Sequence, residues 1–128
     1  MELIGLVEAS YDVTELDKQF AYRMLDLFAY CIRVQDGDIK RASELQEIAY
    51  QGLKAHRIEG DASVLRKALC MLSDDYGLTG RPAMAENVLK RELQDPSLPW
   101  KKKADLQGYA LIRKKLRYWQ RRNPNGGR

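Results

Sequence analysis

The stretch from Thr14 to His56, TELDKQFAYRMLDLFAYCIRVQDGDIKRASELQEIAYQGLKAH, decides the fold class. Thr14-Glu15-Leu16-Asp17 opens it as a capping box in which Asp takes the place of the usual Glu. Leu16, Phe20, Met24, Leu27, Cys31 and Val34 then recur at steps of three and four, which predicts a helix to about Gln35 with those six side chains as its core face. Asp36-Gly37-Asp38 ends that pattern, since glycine tolerates the left-handed cap conformation and Asp38 can accept hydrogen bonds from the free amides of a following helix. The second helix runs to about His56. Ala42, Leu45, Ala49 and Leu53 form its inward side, and Lys40, Arg41, Glu44 and Glu47 form its solvated one.

The same punctuation continues outward. Glu59-Gly60-Asp61 separates the second helix from a third, in which Leu65, Ala68, Leu69, Leu72 and Tyr76 make the apolar stripe and Gly77-Leu78-Thr79-Gly80 makes the stop. Pro82 suits the first turn of a fourth helix, where its missing N–H would be unpaired anyway, and Met84, Ala85, Val88 and Leu89 supply the inward side. Asp95-Pro96-Ser97-Leu98-Pro99 forces an extended loop, and a fifth helix spans residues 102–122 until Asn123-Pro124. Leu3, Ile4, Leu6 and Val7 fit a short helix or a strand, the helix being favoured. The expected fold is all-α: about five helices stacked as antiparallel hairpins in one domain, residues 1–122, with a flexible tail at 123–128.

From Leu69 to Pro96 the chain resembles one tetratricopeptide repeat. Leu69, Leu72, Ser73 and Tyr76, then Gly80, Ala85 and Leu89, occupy the family's Trp-x₂-Leu-Gly-x₂-Tyr, Gly, Ala and Phe positions. Ser73 stands for the family's Gly, Glu92 for its second Ala, and Pro96 falls one place early. The resemblance implies a short stack of helical hairpins that recognises another protein on a concave face.

Little in the sequence suggests catalysis or a cofactor. His56 is the only histidine and has no ligand partner at metal spacing, which leaves it a contact at a helix C-terminus. Glu44 and Glu47 lack the accompanying Glu-x-x-His of a diiron helix, and Asp74-Asp75 reads as a solvated helix end. Gly77 to Arg81 is no phosphate loop. Cys31 and Cys70 are too few for a disulfide framework, residues 1–10 lack the basic start of a secretory signal, and no apolar run approaches a membrane span; an intracellular, cytoplasmic protein without membrane partners is expected. No enzyme, metal or cofactor is expected.

Charge gives the functional lead. Residues 100–128 carry ten Lys and Arg against the single acid Asp105, a net +9, whereas residues 1–99 carry a net −5. On a helical wheel Tyr109, Ile112, Leu116 and Trp119 fall within roughly 80°, a seam on which the last helix can dock. Arg113, Arg117 and Arg121 follow at i, i+4, i+8 beside it, with Lys114 adjacent. Lys101, Lys102, Lys103, Arg113, Lys114, Lys115, Arg117, Arg121 and Arg122 are the candidate phosphate contacts, and Tyr118 a candidate stacking platform for a base. The expectation is a non-catalytic nucleic-acid-binding or ribonucleoprotein accessory subunit, DNA and RNA not being distinguished. The alternative is a protein adaptor whose acidic body and basic end dock onto a larger assembly, an acidic protein surface being the partner, or onto another copy through the segregated charge.

Overall fold

A computed structural model of the chain describes residues 14–56, 62–101 and 106–124. Five α-helices are formed there: α1 Glu15–Gln35, α2 Ile39–Ala55, α3 Ala62–Leu78, α4 Pro82–Gln94 and α5 Leu106–Arg122, with a 3-10 turn at Pro99–Lys101. No strand occurs among the described residues, and the fold is all-α as expected. The chain divides into two compact units, Met1–Asp61 and Ala62–Arg128. The short helix or strand expected at Leu3, Ile4, Leu6 and Val7, and Lys102 and Lys103 at the expected start of the last helix, lie outside the described residues, as does the side chain of Leu16.

In the first unit the helix ends are made as their residues dictate. Thr14 Oγ1 accepts from the Asp17 amide at 3.1 Å while Asp17 Oδ2 accepts from the Thr14 amide at 3.4 Å, closing the capping box. Gly37 takes a positive φ of 67° and Asp38 Oδ1 accepts from the Arg41 amide at 3.1 Å, so the three residues between the helices reverse the chain. α1 and α2 pack as a hairpin. The expected inward residues Ala42, Leu45, Ala49 and Leu53 are all buried, and the expected solvated ones all exposed.

The core face expected for α1 is not the one it uses. Phe20 is 62% exposed, Val34 63%, and Met24 and Leu27 about half, while Cys31 is half-buried. Toward α2 the helix instead turns Gln19, Tyr22, Leu25, Ala29 and Ile32. The cause is close approach. Gly52 of α2 leaves room for the ring of Tyr22, which occupies the space any Cβ there would need, and Ala29, Ala42 and Ala49 are fully buried small residues. Small side chains let two helix backbones come together, and the face with Ala29 at its centre fits where the Phe20 face does not. Gln46 reaches across from α2 to donate to Asp26.

The second unit is a three-helix arrangement in which α3 packs on α4, and α5 on both. Leu65, Ala68, Leu69, Leu72 and Tyr76 are buried as expected, and α3 continues two residues past Tyr76. Its end is a left-handed cap: Gly80 has φ of 79°, and the Arg81 amide donates back to Tyr76 O at 2.9 Å. Pro82 starts α4, where Ala85, Val88 and Leu89 are buried but Met84, expected inside, is exposed on the outer side of the first turn. Asp95 Oδ1 accepts from the amide and hydroxyl of Ser97, turning the chain into the 3-10 segment that packs against α5. Trp100 is 1% exposed there, a core residue.

Two of the contacts that hold α5 in place lie at its C-terminal end. The Trp119 ring lies on the bare backbone of Gly77, filling the position a Cβ would take. Past the helix end, Asn123, the first residue of the expected tail, is buried and donates from Nδ2 to Glu86 Oε2 at 2.7 Å, while Lys90 Nζ sits 2.9 Å from Glu86 Oε1. These partners, Lys90 first and Asn123 next, hold the Glu86 carboxyl below the ordinary glutamate range against the opposing effect of burial.

Alanine is the better helix former than glycine by about 0.5–1 kcal/mol, so propensity alone would have Gly77→Ala stabilise α3. Overlap with Trp119 reverses the sign. We expect a net loss of about 1–3 kcal/mol, read as a lowered Tm by circular dichroism. For Glu86, a depressed folded pKa adds stability at pH values above its unfolded value, about 4.3, and that contribution is lost as pH falls from there through the folded value. Urea unfolding should therefore show wild type more stable than Glu86→Gln at pH 7, with the difference shrinking as the pH is lowered below about 4.3.

Candidate functional site

The expected docking seam of α5 is used: Ile112 and Trp119 are buried, Tyr109 and Leu116 half-buried, and Gly108 is buried beside them. With this side turned inward, the cations occupy the rest of the helix. Arg113, Lys114, Arg117, Arg121 and Arg122 are exposed, spread over an arc of roughly 180° at 100° per residue. Arg113, Arg117 and Arg121 form an outward ridge on one part of this arc, and Arg113 lies 5.9 Å from the Tyr109 ring centroid. Lys114, Tyr118, Arg122 and Lys115 follow on the other part. Of the earlier lysines, the side chain of Lys101 is outside the described residues, as are Lys102 and Lys103.

Lys115 is engaged. Its ammonium is 3.1 Å from Asp74 Oδ2 of α3, and the other oxygen of the same carboxylate accepts from Trp119 Nε1 at 3.0 Å. Asp74 therefore clamps two side chains one helical turn apart on α5, and its neighbour Asp75 is fully buried. The solvated acidic helix end expected from Asp74-Asp75 is instead a docking point. Its partners lie 41 and 45 residues away, which explains why no local pattern announced them.

Beside this clamp a cleft of about 420 Å³ opens between α3 and α5. It is lined by Arg66, Lys67 and Cys70 from α3 and by Leu111, Lys114, Lys115 and Tyr118 from α5. Cations come from both helices, and the apolar side chains of Leu111 and Tyr118 share the lining. Tyr118 is positioned by its neighbours: the Arg122 guanidinium lies 3.5 Å from its ring centroid, Lys115 Nζ 5.9 Å, and the Trp119 ring meets it edge-on at 4.9 Å. Burial pushes the Cys70 thiol above its ordinary value; Lys115 opposes this, Asp74 adds to it, and Arg66 opposes it. Burial thus favours the protonated thiol, and Cys70 adds a small apolar side chain to the cleft wall.

Such a lining suits an anion that carries a planar apolar part. Guanidinium and ammonium groups donate charge-assisted hydrogen bonds to phosphate oxygens, and an exposed tyrosine offers a flat face. Arg66 and Lys67 were not among the candidates read from the sequence. The signal available for them was the line Arg66, Cys70, Asp74 at i, i+4, i+8 along α3, but no periodicity tells which helix lies beside it.

His56 is the C-cap of α2, with Nδ1 2.6 Å from Glu15 Oε2 and its ring stacked on Tyr22 at 5.8 Å, in keeping with a helix-end contact. Glu44 and Glu47 are exposed. Among the described residues no three His, Cys, Asp or Glu side chains are grouped to hold a metal ion, and no helix there is long and apolar enough to cross a membrane. No family model matches the chain, and comparison with curated proteins and with solved structures finds no match.

Truncating Asp74 strands an indole N–H and an ammonium together. Asp74→Ala should lower stability by about 1–3 kcal/mol in urea unfolding, and Asp74→Asn, which keeps an acceptor for Trp119, should recover part of that loss.

Proposed function

We propose that the chain is a non-catalytic nucleic-acid-binding or ribonucleoprotein accessory subunit that grips the phosphate backbone with the exposed face of α5. The observation carrying this reading is the cleft, where cations of α3 and α5 converge beside Tyr118 and Leu111. Arg113, Arg117 and Arg121 extend the same charge along the outward ridge, and their mutual repulsion at i, i+4 is relieved when phosphates lie across them. Lys114, Arg122 and the α3 pair Arg66 and Lys67 reach the backbone at the cleft, and Tyr118 stacks on a base. Contacts of this kind position a strand without reading its sequence, so specificity is weak. Lys115, held by Asp74, adds field more than a direct contact.

The second reading is a protein adaptor of tetratricopeptide-like hairpins that presents the same cations to an acidic protein surface. Binding of fluorescent single-stranded RNA and double-stranded DNA over a salt series separates the two. Each phosphate contact adds about 0.7 to 0.9 to the slope of log K against log salt, so Arg113→Glu with Arg117→Glu, and separately Arg66→Glu with Lys114→Glu, should each weaken binding at least about tenfold and flatten the slope by roughly 1.5. Unchanged binding in both double variants, with helicity intact, rejects the surface. Absence of binding by wild type at 50 mM salt, about the low end of useful ionic strengths, rejects nucleic acid as the partner and leaves the adaptor.

A further inference from the structure

The face of α1 that does not contact α2 carries a long apolar row, with exposed Arg23 at its edge. Phe20, Met24, Leu27, Phe28, Tyr30 and Val34 are all between 48% and 63% exposed. Isolated apolar side chains on a surface mean little, but this is one contiguous row on one helix. With Cys31, half-buried within it, positions 20, 24, 27, 31 and 34 are spaced four, three, four, three, which is the repeat of two helices packing knobs into holes. Phe28 and Tyr30 flank the seam. A helix that is apolar on both sides is one made to be covered on both sides.

We infer that α1 pairs through this row with α1 of a second copy of the chain, bringing two hairpins together as a four-helix bundle. Three features select a second copy. First, a seam with this repeat is complementary to itself, because each side chain finds a hole between four residues of an identical helix. Second, the area is of the right order: three aromatic side chains of roughly 150–250 Å² and three smaller ones, all about half exposed, offer up to about 600 Å² per copy and about 1,200 Å² for the pair, the size at which specific interfaces begin. Third, antiparallel pairing along this row sets the two helix dipoles head beside tail.

An antiparallel seam spanning residues 20 to 34 has its two-fold axis at Leu27, with Phe20 opposite Val34 of the second copy. Cys31 lies off that axis and does not meet its own counterpart. Assembly of this kind is apolar in origin, so it persists at high salt, unlike association through the segregated charge of the chain. The inference is independent of nucleic-acid binding.

Sedimentation equilibrium of the full chain in high salt tests it. Wild type should be a dimer at micromolar concentration, and Leu27→Glu, which sets two carboxylates against each other on the axis, should raise the dissociation constant at least about 100-fold. Helicity should be retained, because Leu27 makes no part of the hairpin core; Phe20→Ser serves as a second variant should Leu27→Glu lose structure. In a Cys31→Ser, Cys70→Ser background, Leu27→Cys should cross-link two copies on mild oxidation, whereas wild-type Cys31 should not. A wild type that stays monomeric across the concentration range overturns the inference, as does a dimer unaffected by both Leu27→Glu and Phe20→Ser. Cross-linking through Cys31 in place of Leu27→Cys overturns the antiparallel register.

Discussion

The placing of α5 turns first on the Trp119 indole, seated in the space that Gly77 leaves empty. Everything that gives the last helix its chemical character follows from it. With the indole seated and its N–H donated to Asp74, the same carboxylate is in position to take Lys115, and the helix is fixed in rotation about its own axis. The remaining cations are thereby turned outward, and Lys114 and Tyr118 are set across from Arg66 and Lys67. A glycine that costs helix propensity in α3 thus decides which residues of another helix reach solvent.

Legibility in the sequence varied with how one-sided each helix is. α2 and α3 have a single apolar face, so Ala42, Leu45, Ala49 and Leu53, and Leu65 to Tyr76, could be assigned from spacing alone, and the structure buries them all. α1 is apolar on two faces. There the three- and four-residue rhythm is satisfied twice, by the Phe20 row and by the Tyr22, Leu25, Ala29, Ile32 row, and the choice between them rests on size: Gly52 and the buried alanines admit only the second. Caps were legible for the converse reason, since Thr14 and Asp38 each act on an amide three residues away and need no tertiary information.

The site was half legible. The seam of Ile112 and Trp119 and the cations around it follow from one helix considered alone. Arg66, Lys67 and the role of Asp74 do not, because they depend on which helix neighbours α5, and a pairing across more than forty residues leaves no trace in local pattern. Polar residues that seemed to belong to solvent turned out to be structural ties, Asp74 and Asn123 among them. This is the usual place for helix-by-helix reading to fail: burial of a polar group is decided by its partner, not by its own hydropathy.

The turns at residues 36–38 and 79–81 each join packed helices through three residues. Such connections make most contacts local in sequence, so little loop-closure entropy opposes the first encounter of α1 with α2 or of α3 with α4. Chains with this organisation fold fast, because no distant segment has to arrive before neighbouring helices reward each other. α5 differs in part: besides packing on its neighbour α4 it also packs on α3, and that contact spans α4 and the turn that ends in Pro99–Lys101, so it closes a longer stretch of chain than either hairpin does.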